Sequence, residues 1–481
     1  MVAVAAALGL AIRVVIMRTS VGVLDSDEAV VGLMARHFQT GAYRAFFWGQ
    51  AYGGTIETAF TALLFRLFGP STWVLRVVPL ALNAGAAVLV WRVARRLISR
   101  QAAVLAAVLV WLWPANYLWW SIKARGFYEA TLCLTLGCTL LVLRIAQEDG
   151  SRWLDWVLLG LGAGIGWWQS PQIAYVLSPV VLWLIAVRRL AVWRAVAAVP
   201  GFAVGALPWL VANLASGFAS LVPPPAPVRT GYTDHLVTFV RESLPMTLGL
   251  KVVYLTQWIT APLVGEVLYG LAVALVVVGL VRRSRGQVLV GSVILAYPFL
   301  NSLLTLSGII NEGRYTLFLL PWLVIAMAHG ADRRWARVSL IGIVAVVAAV
   351  GLGALRGKTS PYAPDIRVPT SMAPLTQSLN DHGVSRAWAN YWIAYRLTFE
   401  TGERLIIAPM TNGRYPQFDQ EVRAARRPAF IFLAASRDAD AFRRGLIARR
   451  IPFTDWTVGT DWAVYVPSVR VAPTAIPGSY T

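Results

Sequence analysis

The chain has 481 residues, of which 57% are hydrophobic and only 14% charged, against roughly 25% charged in an ordinary soluble domain. Its 43 Lys+Arg and 23 Asp+Glu leave a formal charge of +20, but the arginines gather between apolar segments. That is the mark of membrane topology rather than of a nucleic-acid-binding surface. The two cysteines, Cys133 and Cys138, lie in one apolar run, which excludes a disulfide framework, and no zinc or iron–sulfur spacing is visible.

A helix needs about 20 apolar residues to cross a bilayer. Val2–Met17 reads as a slightly short first span, retained rather than cleaved, with Arg13 placed to snorkel. Residues 19–70 form a polar interval, the first long loop. Further spans are expected at 75–93, 102–120, 127–143, 154–168, 173–187 and 195–214. After a polar stretch over 215–250, with an amphipathic piece at 251–259, come 263–281, 288–306, 315–328 and 338–355. This makes about eleven spans. The loops after spans 2, 4, 6, 8 and 10 carry the arginine clusters, including Arg95, Arg96 and Arg100 after the second and Arg333, Arg334 and Arg337 after the tenth. All five fall on one side, which the charge rule makes the cytoplasm. The N-terminus is then cytoplasmic, and the first loop, the 215–262 interval and the tail face outward.

The tail is not membrane-like. The expectation is a transmembrane domain over residues 1–355 and an extracytoplasmic mixed α/β domain over 356–481, long enough for its own core. GERLIIAPM, RPAFIFLAAS and WAVYVPS read as strands. Residues 372–398 read as largely helical, in two pieces if split at Asp381–Gly383, and DADAFRRGLIARR as a helix with an acidic start and a basic end.

The first loop holds four carboxylates: Asp25, Asp27, Glu28 and Glu57. EAVVGLMARHF has apolar positions at helical spacing and fits a short helix along the membrane surface. Asp25, Ser26 or Asp27 can cap it; alternatively Asp27 is a general base at the edge of the hydrocarbon, where partial desolvation raises basicity. Glu57 sits in an apolar helical stretch, where an acid is costly unless paired or used; Arg66, Arg76 and Lys123 are candidate partners. Gly53 and Gly54, beside Tyr52, permit a turn or a close backbone approach. Lys123 and Arg125 in WWSIKARGFYEA, and Arg314 in NEGRYTLF, stand at outer ends of spans. There they can hold a lipid phosphate as it leaves, or pair with Glu129 and Glu312. Trp119, Trp120, Trp167 and Trp168 read as an interfacial belt. His235, next to Asp234, makes no metal site by itself. A divalent metal held by Asp25, Asp27 or Glu28 together with lipid phosphate is neither required nor excluded by the residues.

LDSDEAVVGLMARHF, GQAYGGTIETAFTALLFRLFG, KARGFYEATLCLTLG and NEGRYTLFLLPW resemble integral-membrane glycosyltransferases of the GT-C class. They look closest to the bacterial branch related to protein O-mannosyltransferases and lipid A aminoarabinose transferases (families 39 and 83). The resemblance covers residues 1–355. It implies a polytopic α-helical fold in a bacterial inner membrane and transfer of a sugar, mannose among the candidates, from polyprenyl phosphate with inversion. The acceptor is a glycan, lipid or protein; nucleic acid is not a partner. It implies that Asp27 is the first-loop acid and Glu57 the second. Lys123, Arg125 and Arg314 then bind the donor phosphate, while Asp25, Glu28, Tyr52, His235 and Glu312 stand as acceptor-side or supporting residues. In the aminoarabinose branch a lysine follows the second acid; here the residue is Thr58. A lipid-linked-sugar transporter or flippase is the rival reading. It calls for broken helices deep in the bilayer and two matching halves, and no such repeat is present in the sequence.

Overall fold

A computed structural model of the chain describes residues 2–147, 152–222, 231–253, 255–282, 284, 286–303, 313–355 and 369–479. They form two compact units. The first comprises Met1–Gly22, Ala51–Glu57 and Arg76–Thr359; the second comprises Val23–Gln50, Thr58–Leu75 and Ser360–Thr481. The first long loop is therefore shared out: Asp27 belongs to the second unit and Glu57 to the first.

In chain order the helices begin with α1 (Val2–Met17), α2 (Ser26–Gln39), α3 (Ile56–Phe68), α4 (Thr72–Leu97), α5 (Arg100–Leu112) and α6 (Ala115–Trp120). They continue with α7 (Tyr128–Gln147), α8 (Trp153–Gln169), α9 (Ala174–Val187), α10 (Ala198–Gly205), α11 (Leu207–Ser216), α12 (Tyr232–Thr238) and α13 (Leu244–Thr247). The apolar series closes with α14 (Pro262–Val281), α15 (Gln287–Ser302), α16 (Leu320–Gly330) and α17 (Arg334–Leu355). Helix is present in every apolar segment read as a span. Among the described residues, α4, α7, α14 and α17 are long and apolar enough to cross a bilayer unaided, and the count reaches six if two bent helix pairs are each one span. Length and composition thus support a mostly helical, multi-span membrane protein, not the number eleven. The shortfall has local causes: the third apolar segment, for example, is cut by Pro114 into α5 and α6, because proline cannot donate to the helical ladder.

Two features of the first unit follow from membrane packing. The backbones of α8 and α10 meet at glycines four residues apart. A Cβ on Gly160, Gly164, Gly201 or Gly205 would stand 1.9–2.3 Å from a carbonyl oxygen of the facing helix. In a bilayer such small-residue seams replace the hydrophobic drive that water provides elsewhere. Arg13, expected to snorkel, is instead fully buried. Its guanidinium donates to Ser121 Oγ and Asn83 Oδ1, each at 2.7 Å, and to the carbonyls of Gly9 and Trp111. A guanidinium has five donors, and burial is tolerated when they are met inside the protein.

The second unit is built on a five-stranded sheet. Its strands are β1 (Arg386–Ala389), β2 (Ile406–Pro409), β3 (Ala429–Leu433), β4 (Phe453–Val458) and β5 (Trp462–Pro467), in the order β2-β1-β3-β5-β4. The β2, β1 and β3 strands are parallel; β5 and β4 are antiparallel additions. Four helices accompany it: α18 (Ala373–Asp381), α19 (Tyr391–Glu400), α20 (Pro416–Ala424) and α21 (Arg437–Ala448). Parallel strands covered on both faces are apolar throughout, and all five residues of β3 are buried. Residues 372–398 are helical in two pieces with the break after Asp381, as expected, but the short strand β1, which was not expected, lies between α18 and α19.

The loop helix α2 packs on α19. It was expected to lie along a membrane surface with one apolar side, yet every residue from Ala29 to Ala35 is buried. The reason is compositional: AVVGLMA is apolar or small all round, and such a helix is enclosed rather than half-exposed. Asp25 is its N-cap in a capping box. Asp25 Oδ1 accepts from Glu28 N at 3.1 Å, and Glu28 Oε2 accepts from Asp25 N at 3.4 Å. Asp25→Ala is expected to lower the unfolding free energy by about 1 kcal/mol. A thermal melt of the purified protein checks this, with an unchanged melting temperature as the contrary result.

Candidate functional site

In the second unit, the capping box separates the three acids of the loop. Asp25 and Glu28 are buried and turned toward each other's backbone. Asp27 is half-buried, in the first turn of α2, and its Oδ1 accepts the Tyr391 hydroxyl at 2.6 Å. Arg414 bonds to Tyr391 in turn. Burial and the neighbouring Asp27 carboxylate push the Tyr391 hydroxyl well above its ordinary value, so it stays protonated and donates. Toward the other end of α2, His37 Nε2 stands 2.9 Å from Glu403 Oε2, and Trp48 stacks on Tyr415 at 4.0 Å between ring centres. Neither Tyr391 nor Arg414 stands out in the sequence. Tyr391 is brought to the loop acid by the packing of α2 on α19, a long-range contact with no local signature.

In the first unit, Glu57 is buried and serves the start of α7. Its Oε1 accepts from Ala130 N at 2.9 Å, and the backbone N–H groups of Glu129 and Gly126 also bond to it. The free N–H groups and partial positive charge of a helix N-terminus favour a carboxylate there. Burial works the other way and dominates, pushing the Glu57 carboxyl up to about 7. Gly54 lets the segment before Glu57 approach α8, with Gly54 N donating to Gln169 O at 3.0 Å. A Cβ on Gly54 would meet the Gln169 amide at 2.1 Å.

The turn that Glu57 holds at Gly126 is the one carrying Lys123 and Arg125. Both are buried. Lys123 Nζ lies 5.5 Å from the Trp119 ring centre, and the Arg125 guanidinium 4.8 Å from that of Trp120. Arg314 reaches the same indole at 5.9 Å and also faces Tyr128 and Tyr315. Arg125 and Arg314, distant in sequence, thus share Trp120. Aromatic faces attract guanidinium groups and help to hold them in place.

Arg314 and Trp120 line a crevice of about 20 Å³, with Pro114, Tyr117 and Thr247 among its other walls. An apolar groove of about 570 Å³ lies beside it, lined by residues including Trp113, Leu248, Leu271, Leu275 and Val347. Trp113 and Leu248 on the groove are the chain neighbours of Pro114 and Thr247 on the crevice. A cationic end therefore adjoins an apolar slot.

The remaining expected site residues fall elsewhere. Tyr52 meets Phe127 edge-on at 6.4 Å. His235 Nδ1 is 3.1 Å from the Ser302 carbonyl oxygen, a structural contact between α12 and α15. Glu312 lies outside the described residues. Among the described residues no three His, Cys, Asp or Glu side chains form a group that could hold a metal ion.

Comparison with known proteins now bears on this arrangement. The structure is similar to ArnT from Cupriavidus metallidurans, solved in the apo state and bound to undecaprenyl phosphate. For both structures the TM-score is 0.65 at 14% identity, over 96% of this chain and 97% of that one. This is the GT-C fold. Residues 57–214 match the family described as dolichyl-phosphate-mannose-protein mannosyltransferase, a stretch that takes in Glu57, Lys123 and Arg125. An oligosaccharyltransferase from Archaeoglobus fulgidus in the apo form is also similar. Its TM-score is 0.48 at 12% identity, over 93% of this chain and 70% of that one. A search of curated proteins finds no match. The resemblance expected over residues 1–355 is met in the fold, and the structural similarity extends over 96% of the chain.

Proposed function

We propose that the chain is an inverting GT-C glycosyltransferase that moves a sugar from a polyprenyl-phosphate donor to an acceptor outside the cytoplasm. The observation that carries this reading is the meeting of Arg125 and Arg314 on the Trp120 ring, beside a largely apolar groove. Two guanidinium groups suit a phosphate, and the groove offers a wall to a prenyl chain. The solved ArnT described as bound to undecaprenyl phosphate supports a donor of that class here. The donor sugar includes mannose among its candidates, from the family matched by residues 57–214.

The chemistry follows from what each group can do. Asp27 accepts the proton of the acceptor nucleophile. The nucleophile forms a bond to C1 of the sugar as the C1–O bond to phosphate breaks, and the phosphate leaves with the electron pair. A single displacement from the face opposite the leaving group inverts the anomeric centre. The leaving group is an anion already, so it needs cations rather than an acid; Lys123, Arg125 and Arg314 supply them. This differs from the paired carboxylates of glycoside hydrolysis. Glu57 holds the turn that carries two of the three cations.

In topology, eleven spans place the five arginine-rich loops in the cytoplasm of a bacterial inner membrane. The N-terminus is inside, and the first loop and the α/β domain over 356–481 are outside.

Arg314→Ala tests the donor assignment. It is expected to raise KM for polyprenyl-phosphate sugar about tenfold or more, measured with purified protein in lipid nanodiscs. An unchanged KM would remove Arg314 from the donor site.

A further inference from the structure

The base assigned above is not held by the first loop alone. Three elements of the second unit meet at it. Asp27 stands in the first turn of α2, and Tyr391 in the first turn of α19 donates its hydroxyl to Asp27 Oδ1 at 2.6 Å. Arg414, in the segment before α20, bonds to Tyr391 and lies 5.6 Å from its ring centre.

Each partner is itself fixed. The Asn390 side chain accepts from Ile393 N at 3.0 Å, so α19 starts at Tyr391. Ser26 Oγ accepts from Arg396 N at 3.3 Å and ties the first residue of α2 to the middle of α19. The backbone N–H groups of Arg414 and Tyr415 donate to the Tyr395 hydroxyl, one turn along α19 from Tyr391. Tyr395 and Arg396 are buried.

The hydrogen-bond inventory gives this arrangement a direction. A guanidinium has donors and no acceptor, so Arg414 can only donate to the Tyr391 oxygen. A tyrosine hydroxyl has one proton, and with Arg414 on its oxygen that proton points to Asp27. A rigid donor on one carboxylate oxygen restrains the side chain before the acceptor arrives, which is what a base needs.

We propose that Tyr391, backed by Arg414, is the positioning residue for Asp27, so that the C-terminal α/β part of the chain belongs to the catalytic apparatus. The proposal rests on the reading of Asp27 as the base.

The test uses the full chain, purified, with a polyprenyl-phosphate sugar and acceptor membrane extract. Tyr391→Phe removes one oxygen and keeps the ring. It is expected to lower kcat about tenfold or more while KM for the lipid-linked donor stays within about twofold, with an unchanged melting temperature. Arg414→Gln, which alters the second link without touching α2 or α19, is expected to show the same split to a smaller extent. It also keeps the test informative if Tyr391→Phe fails to fold. Wild-type kcat in both variants overturns the proposal. So does a loss of kcat that comes with a lowered melting temperature and a raised KM, since that is a structural role. Asp27→Asn run alongside separates the two levels. Full transfer in Asp27→Asn removes the base itself, whereas an inactive Asp27→Asn beside a fully active Tyr391→Phe removes only the positioning role.

Discussion

Asp27→Asn is expected to lower the rate of sugar transfer by about 10²–10⁴-fold, the usual contribution of a general base. Asparagine keeps the shape and the hydrogen bond from Tyr391 but cannot take a proton from the acceptor. The substitution should leave the fold alone, because the cap of α2 belongs to Asp25 and Glu28. The contrast with Asp25→Ala is therefore diagnostic: one acid governs rate, its neighbour two residues earlier governs stability. Steady-state transfer and thermal melts on both variants check the pair. A large rate loss in Asp25→Ala with none in Asp27→Asn would reverse the assignment.

The second large effect is expected at Glu57. Glu57→Ala removes an acceptor from buried N–H groups at the start of α7. It should cost roughly 3 kcal/mol, because buried donors left unmet forfeit their solvation. Glu57→Gln keeps an acceptor oxygen and should cost about 1 kcal/mol or less. The two also differ in their response to pH. The Glu57 carboxyl sits near 7 in the fold against 4.5 for a free side chain, so the folded state binds its proton more tightly than the unfolded one. The stabilisation is complete below about pH 4.5 and is lost as pH rises through about 7. Between pH 5 and pH 8 the wild-type melting temperature should therefore fall more than that of Glu57→Gln. Equal slopes would show that Glu57 does not titrate in this range.

The contrast between these two acids also shows what was legible in the sequence. Helix positions came from apolar runs and turn residues, and each expected span has helix in it. Span count did not follow, because Pro114 breaks a run that hydropathy reads as continuous. The strands β2, β3 and β5 stood out as apolar and β-branched. β1 did not, since RAWA is four residues of which two are alanine, and β4 did not, since the edge strand FTDWTV alternates with exposed polar residues. The glycine seam between α8 and α10 was present as Gly160, Gly164, Gly201 and Gly205, but spacing alone does not say which helix faces which.

The site was legible in its residue types and not in its grouping. The acids of the first loop and the cations at Lys123, Arg125 and Arg314 were visible as costly charges beside apolar segments. That Asp25 and Glu28 close a capping box, and that Tyr391 reaches Asp27 across more than 360 residues of sequence, depends on α2 packing against α19. Nothing local encodes that pairing except the all-round apolar character of AVVGLMA.

The central claim is the transfer reaction itself. Purified protein in lipid nanodiscs, given a panel of radiolabelled polyprenyl-phosphate sugars and acceptor membrane extract, is expected to move label from at least one donor to the acceptor fraction. Arg314→Ala should require more donor for the same rate. No labelled product from any donor, with the protein folded by thermal melt, would contradict the account.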